Sequence, residues 1–240
     1  MMIKIFIDFD GTITKGDLGD NLFFNFGGPI CTKIIEDYRG GLISAAECFT
    51  REAEACGNVS QKDVSDFIDK HEIDISFGNF IKFCRKKSTD DRQIKFYILS
   101  DGLDYYIERV LRKYDLSDIP FFANKLEFVE AGMKITFPYS EEECDRCANC
   151  KRNHILTLSG DDDIIVYIGD GYSDKCAVKY ADIVFARGEL QTFCQNENIT
   201  YYLFNSFEDT ITRMEEILNK KRIRKRQQAE FNRKEIYLAG

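Results

Sequence analysis

Three short apolar runs in this chain each end in an acidic or hydroxyl-bearing turn that carries glycine, and this leaves few folds open. Ile3–Ile7 runs into Asp8-Phe9-Asp10-Gly11-Thr12, and Lys95–Leu99 runs into Ser100-Asp101-Gly102. Ile164–Ile168 runs into Gly169-Asp170-Gly171-Tyr172-Ser173-Asp174. Near-continuous β-branched and aromatic runs, without polar alternation, are the pattern of strands buried on both faces of a parallel sheet. Helical periodicity separates them, from Phe77 to Lys87, from Gly102 through about Lys113, and from Phe207 to about Lys220. Strands alternating with helices predict an α/β fold, a Rossmann-like three-layer parallel sheet core. In such sheets ligands bind beyond the carboxyl ends of the strands, so the three turns are expected on one edge.

Residues 15–75 read differently. They carry helical periodicity broken at Gly27-Gly28, Gly40-Gly41 and Gly57, with a helix start at Val59-Ser60-Gln61-Lys62-Asp63. A small helical cap inserted after the first strand is the expectation. The catalytic core is then 1–14 and 76–218, and 219–240 is a basic C-terminal tail. A hairpin is predicted from Leu126–Glu130 and Lys134–Phe137, turning at Ala131-Gly132. Short strands are expected at Asp182–Phe185 and Thr200–Leu203.

The turns carry chemistry. In extended backbone the side-chain period is two, so Asp8 and Asp10 point the same way. Paired carboxylates on one edge bind a hard cation and divide proton-transfer work. The competing reading is a solvated loop, which weakens because Gly11-Thr12 follows so apolar a strand. Ser100, with the backbone N–H groups of Asp101 and Gly102, suits a phosphoryl oxygen, although a capping serine has the same signature. Lys151 begins a helix, where its ammonium can neutralise a phosphate, yet most lysines are surface residues. Asp170 and Asp174, spaced G-D-x-x-x-D, suit a metal ligand and the group that orients it. Helix capping by Ser173 or Asp174 is compatible with that role.

Asp8-Phe9-Asp10-Gly11-Thr12, Ser100, Lys151 and Gly169-Asp170 with Asp174 occur in the order of four motifs, and here the chain resembles the haloacid dehalogenase superfamily of phosphohydrolases. The resemblance covers the core from the first strand to Asp174. The gap after Thr12 is similar to the branch with a helical cap. It implies Asp8 as a nucleophile that forms an aspartyl-phosphate, and Asp10 as the acid and then the base. It implies Mg2+ held by the Asp8 carboxylate, the Asp10 carbonyl and Asp170, with Asp174 behind them. Thr12, Ser100 and Lys151 would hold phosphoryl oxygens. Asp10 favours phosphoryl transfer, because true dehalogenases of this superfamily lack an acid there. The Asp-Gly-Thr-Ile-Thr opening and the Cys147-x-x-Cys150-Lys151 approach resemble one subgroup. It holds phosphoserine phosphatase, phosphoethanolamine/phosphocholine phosphatase and, most similar, the enolase-phosphate phosphatases of methionine salvage. Asp17 and Asp20 could meet a substrate amine or could cap a helix. A phosphomutase or phosphotransferase, and a binding module without turnover, are the rival readings.

The formal net charge of −8 excludes nucleic acid as the main partner and leaves a small phosphorylated metabolite. Its oligomeric state is not legible. The Met1–Asp8 opening does not fit a signal peptide, and no run has the apolar length of a membrane span. The nine cysteines are an odd number, read as reduced in a cytoplasmic protein. Cys144, Cys147 and Cys150 could bind zinc with a fourth ligand such as His154, but only one ligand knuckle is visible, and a loop of reduced thiols is the favoured reading. The basic run Lys220–Arg226 could contact an anionic surface. A solvated, helical or disordered tail is the favoured reading.

Overall fold

A computed structural model describes residues 1–141 and 146–239. The strands are β1 (Met2–Ile7), β2 (Gln93–Leu103), β3 (Phe121–Val129), β4 (Gly132–Thr136), β5 (Ile164–Gly169), β6 (Ile183–Ala186) and β7 (Tyr202–Leu203). The α-helices are α1 (Leu18–Gly27), α2 (Ile30–Arg39), α3 (Ala45–Ala55), α4 (Gln61–Ile68), α5 (Ser76–Lys87), α6 (Asp104–Lys113), α7 (Lys151–Leu158), α8 (Gly188–Asn196), α9 (Phe207–Leu218) and α10 (Gln227–Ala239). None of the described helices is long and apolar enough to cross a membrane.

The chain divides into two compact units. The first holds Met1–Ile13, Ile73–Leu99 and Lys151–Gly240. Its strands lie in the order β2-β1-β5-β6-β7, and every pair is parallel. Ile5 pairs with Phe96 on one side and with Val166 on the other, so β1 runs between β2 and β5. Every residue of β5 is buried, which is why that run is apolar throughout. Across one face, α5 and α9 meet through Phe77 and Phe80, whose rings lie 4.9 and 5.3 Å from that of Phe207. A capping box at Ser206 and Asp209 starts α9. The doubly wound α/β expectation is met.

The second unit holds Thr14–Glu72 and Ser100–Cys150. Its helices α1–α4 and α6 pack with the β3–β4 hairpin, whose antiparallel register sets Val129 opposite Gly132. Ser60 accepts the Asp63 amide at 3.1 Å and starts α4 where the capping signal places it. Phe23, Leu22, Cys31, Ile34, Val64 and Ile68 are buried. Arg109 makes a bidentate ion pair with Asp69, both contacts 2.7 Å.

Past Leu218 the chain does not trail off. Helix α10 packs on the first unit, with Ala229 fully buried and Arg233 4% exposed. Arg233 reaches the Asp182 carboxylate at 3.0 Å and donates to the Tyr180 carbonyl. Arg226 donates to the carbonyls of Val178 and Ala181. Two of the tail's cations are therefore structural, which a run of like charges does not reveal.

Candidate active site

The first unit brings Asp8, Thr12, Lys151, Asp170 and Asp174 together. Asp8 follows the last residue of β1, and its N–H donates to the Ile168 carbonyl of β5 at 2.9 Å. Asp170 follows the last residue of β5. The chain leaves β1 for β2 on one side and returns to β5 on the other, so the acids stand where the strand order reverses, the general ligand position of such sheets.

Lys151, the first residue of α7, is 1% exposed and serves as the hub. Its ammonium donates to Asp8 Oδ1 at 2.6 Å, Asp174 Oδ1 at 2.7 Å and Ser173 Oγ at 2.9 Å. A buried ammonium needs such partners to remain charged. Asp174 is fully buried and saturated. Tyr167 Oη donates to its Oδ1 at 2.6 Å, and the backbone N–H groups of Asp170 and Gly171 donate to its Oδ2 at 3.0 Å. It pins the turn that presents Asp170. Thr12 Oγ1 donates to Asp170 Oδ1 at 2.7 Å and ties the first turn to the third.

Close approach sets the glycines here. Gly11 has φ +73°, and a Cβ on it would lie 2.5 Å from Asp170 Oδ2. A Cβ on Gly169 would overlap Asp174 Oδ2. Both turns thus carry glycine where a carboxylate presses against backbone.

The electrostatics are unbalanced. One buried ammonium faces the carboxylates of Asp8, Asp170 and Asp174, whose oxygens lie within 4.8 Å of one another. The Asp8 carboxyl is held well above its ordinary range, first by burial and then by the charge of Asp174, with Lys151 opposing. Burial and Asp174 raise Asp170 as well, against Thr12 and Arg187. Among the described residues, Asp8 Oδ2 and Asp170 Oδ2 accept no hydrogen bond. An oxygen-only donor set with excess negative charge and two open oxygens fits a hard divalent cation such as Mg2+. Asp174 has no oxygen to spare and suits the supporting role.

The other expected residues sit as follows. Asp10 is half-buried in the turn after β1. Ser100, Asp101 and Gly102 belong to the second unit. There Ser100 is buried and its Oγ accepts the Gly102 N–H at 2.9 Å. Asp101 Oδ1 accepts the Asn149 N–H at 2.6 Å, and the Asn149 side chain donates to the Ser100 and Phe122 carbonyls at 2.7 and 2.9 Å. Asp17 caps α1, accepting the Asp20 N–H at 2.7 Å. Cys147 and Cys150 form no disulfide with each other, and Cys144 lies outside the described residues.

Two participants have weak sequence signals. Tyr167 is the one polar-tipped residue in the apolar run of β5, and its hydroxyl finds Asp174. Arg187 follows β6 and donates to the carbonyls of Gly11, Thr12 and Asn205, the last at 2.9 Å. Only a basic residue beside Gly188 at a strand end hints at it.

A family model described as Putative Phosphatase matches residues 3–218. The 2-hydroxy-3-keto-5-methylthiopentenyl-1-phosphate phosphatase of Bacillus mycoides (strain KBAB4) is 30% identical over 224 residues, covering 92% of this chain and all of that one. The same enzyme of Bacillus cereus (strain AH187) is 29% identical over 227 residues, with the same coverage. Among solved structures, a phospho-aspartyl intermediate analogue of phosphoserine phosphatase superposes with a TM-score of 0.67 at 16% identity, covering 89% of this chain and 98% of that one. A HAD-family hydrolase from Salmonella enterica serovar Typhi superposes at 0.66 and 19% identity, covering 85% and 68%. At such identities the structures speak for the fold.

Proposed function

The chain belongs to the Putative Phosphatase family and is a phosphatase of the haloacid dehalogenase type, and from that premise we propose that it hydrolyses a small phosphomonoester, with Mg2+, through an aspartyl-phosphate on Asp8. The observation that carries this reading is the buried Asp8–Lys151–Asp174 arrangement beside Asp170, at the strand edge where ligands bind.

Lys151 fixes the Asp8 rotamer by holding Oδ1. An Asp8 oxygen then attacks phosphorus in line, and the phosphorus–oxygen bond to the leaving group breaks. Asp10 gives its proton to the departing alkoxide. It next takes a proton from water, whose oxygen attacks the phosphorus of the acyl phosphate. Inorganic phosphate leaves and the Asp8 carboxylate is restored. Lys151 would hold a phosphoryl oxygen as charge shifts, the part that the family resemblance also gives to Thr12 and Ser100. Asp8, Asp170 and the Asp10 carbonyl would hold the cation, which would supply positive charge so that two anions can meet.

For the substrate, the full-length similarity to 2-hydroxy-3-keto-5-methylthiopentenyl-1-phosphate phosphatases makes that enolase phosphate the first candidate. Selection between substrates falls to the helical segment 15–75 and the residues after the first turn. Asp17 already spends an oxygen on capping α1, which weakens an amine-binding role for it.

The test is phosphate release from a panel of that compound, phosphoserine, phosphoethanolamine, phosphocholine and an aryl phosphate. Release with Mg2+, its loss in excess chelator, and its loss in Asp8→Asn support the proposal. Substantial hydrolysis by Asp8→Asn would overturn the assignment of the nucleophile. Release that water does not accept, but a second alcohol does, would make the protein a phosphotransferase.

A further inference from the structure

A second cavity, of about 520 Å3, lies in the first unit at the opposite end of the sheet from the acids. Its rim includes Asp182 and Ile183, where β6 begins. Asp182 exchanges hydrogen bonds with Ile165, its N–H donating to the Ile165 carbonyl at 2.8 Å and its Oδ2 accepting the Ile165 N–H at 2.9 Å. Asp170 lies five residues further along the chain, roughly 16 Å at strand rise. Whatever enters this cavity is not the group being hydrolysed.

The lining is built for negative charge. Lys220, Arg222, Arg224, Lys225 and Arg226 are among the lining residues. Lys225 and Arg226 are pinned, the first to the Asp161 carbonyl and the second to those of Val178 and Ala181. Lys220, Arg222 and Arg224 are exposed and make no side-chain hydrogen bond or ion pair among the described residues. The one acid of the lining, Asp182, is already engaged by Arg233 at 3.0 Å and by the Ile165 N–H. Three further cations, Lys220, Arg222 and Arg224, gather around one engaged acid and repel each other, so an anion is what relieves the site.

The rest of the lining includes Ile183, Val184, Ile217, Ile223 and Tyr202. A purely ionic ligand would leave these side chains unused. The volume falls within the range of small-molecule sites. The family match ends at residue 218, so every cation of the lining lies beyond it. Helix α10, anchored through the Arg233–Asp182 pair, holds the far end of that segment.

We propose that this cavity binds a small polyanion with two or more phosphates on an apolar body, the chemistry of a nucleoside di- or triphosphate, apart from the catalytic site. Guanidinium groups suit phosphates through paired donors, and the apolar lining residues suit the body that carries them.

Isothermal titration calorimetry on the full chain, in excess chelator to suppress turnover, tests this with ADP and pyrophosphate as probes. ADP should bind, and more tightly than pyrophosphate, which lacks the ring. Arg222→Glu with Arg224→Glu should weaken ADP at least about tenfold. Because charge reversal can disturb the segment, Arg222→Gln with Arg224→Gln is made alongside. It should keep the wild-type circular dichroism and still weaken ADP severalfold. No ADP binding up to about 1 mM overturns the proposal. So does ADP binding that both double variants leave intact, since it would then lie at the catalytic acids. Pyrophosphate binding as tightly as ADP overturns the assigned ligand class.

Discussion

Replacing Glu52 with Gln should remove a pH dependence of stability that the helical unit otherwise carries. Glu52 is 2% exposed on α3, and among the described residues its Oε1 has no hydrogen-bond partner and its Oε2 takes only a long contact of 3.7 Å from Cys48 Sγ. Burial, and then the charge of Asp20, push its carboxyl from an ordinary 4.5 up to about 8. The folded state therefore holds a proton that the unfolded chain releases near 4.5. A raised pKa contributes stability in full below the unfolded value, and that contribution is lost as pH rises toward the folded one. Between pH 5 and 7 the loss integrates to roughly 2.5 kcal/mol, at 1.36 kcal/mol per unit. Gln is nearly isosteric and does not titrate, so the loss should vanish in Glu52→Gln. For a chain of this length the gap between variant and wild type should widen by roughly 5–10 °C in Tm from pH 5 to 7. Thermal melts followed by far-ultraviolet circular dichroism at several pH values read it. The Asp8 and Asp170 carboxyls also titrate abnormally, but both proteins share them, so the difference isolates Glu52. Parallel pH curves for the two proteins would refute the reasoning, as would a Gln variant less stable at pH 7.

Lys151→Met should lower turnover by about a hundredfold or more, because a buried positive group beside the reacting carboxylate is lost. It should also destabilise the fold by about 3–5 kcal/mol, since Asp8 and Asp174 lose their shared cation; an unchanged denaturation midpoint would count against the hub role. His154 is 7% exposed, and burial lowers it from 6.5 to about 4, so its neutral form is the one that packs. The stability it protects is present above pH 6.5 and lost as pH falls toward 4, and His154→Gln should flatten urea-denaturation midpoints in that window. Arg233→Met should strand the Asp182 carboxylate, cost about 3–5 kcal/mol and open residues 219–226 to limited proteolysis. A protease-resistant variant would show that α10 docks without that pair.

The acids at the strand ends were readable because their signal is local. An apolar run says buried parallel strand, the following Asp-x-Asp-Gly or Gly-Asp says carboxyl-end turn, and the sheet rule places such turns on one edge. The hairpin and the Ser60 cap were readable for the same reason, since each depends on residues a few positions apart. Lys151 was a weak candidate alone and gained weight only from its order among the motifs.

What tertiary structure decided involves partners far apart in sequence. Tyr167 reads as one more strand aromatic until Asp174 meets its hydroxyl. Arg187 gains meaning from carbonyls 175 and 176 residues away. In the basic run, composition alone cannot separate Arg226, pinned on two carbonyls, from Arg222 and Arg224, which face a cavity. Glu52 looks like any helical glutamate until burial strips its solvent. Local pattern reports the free energy of a segment in water, which suffices for strands, caps and turns. Burial of charge depends on what the rest of the chain packs against it, and that is decided only when the fold closes.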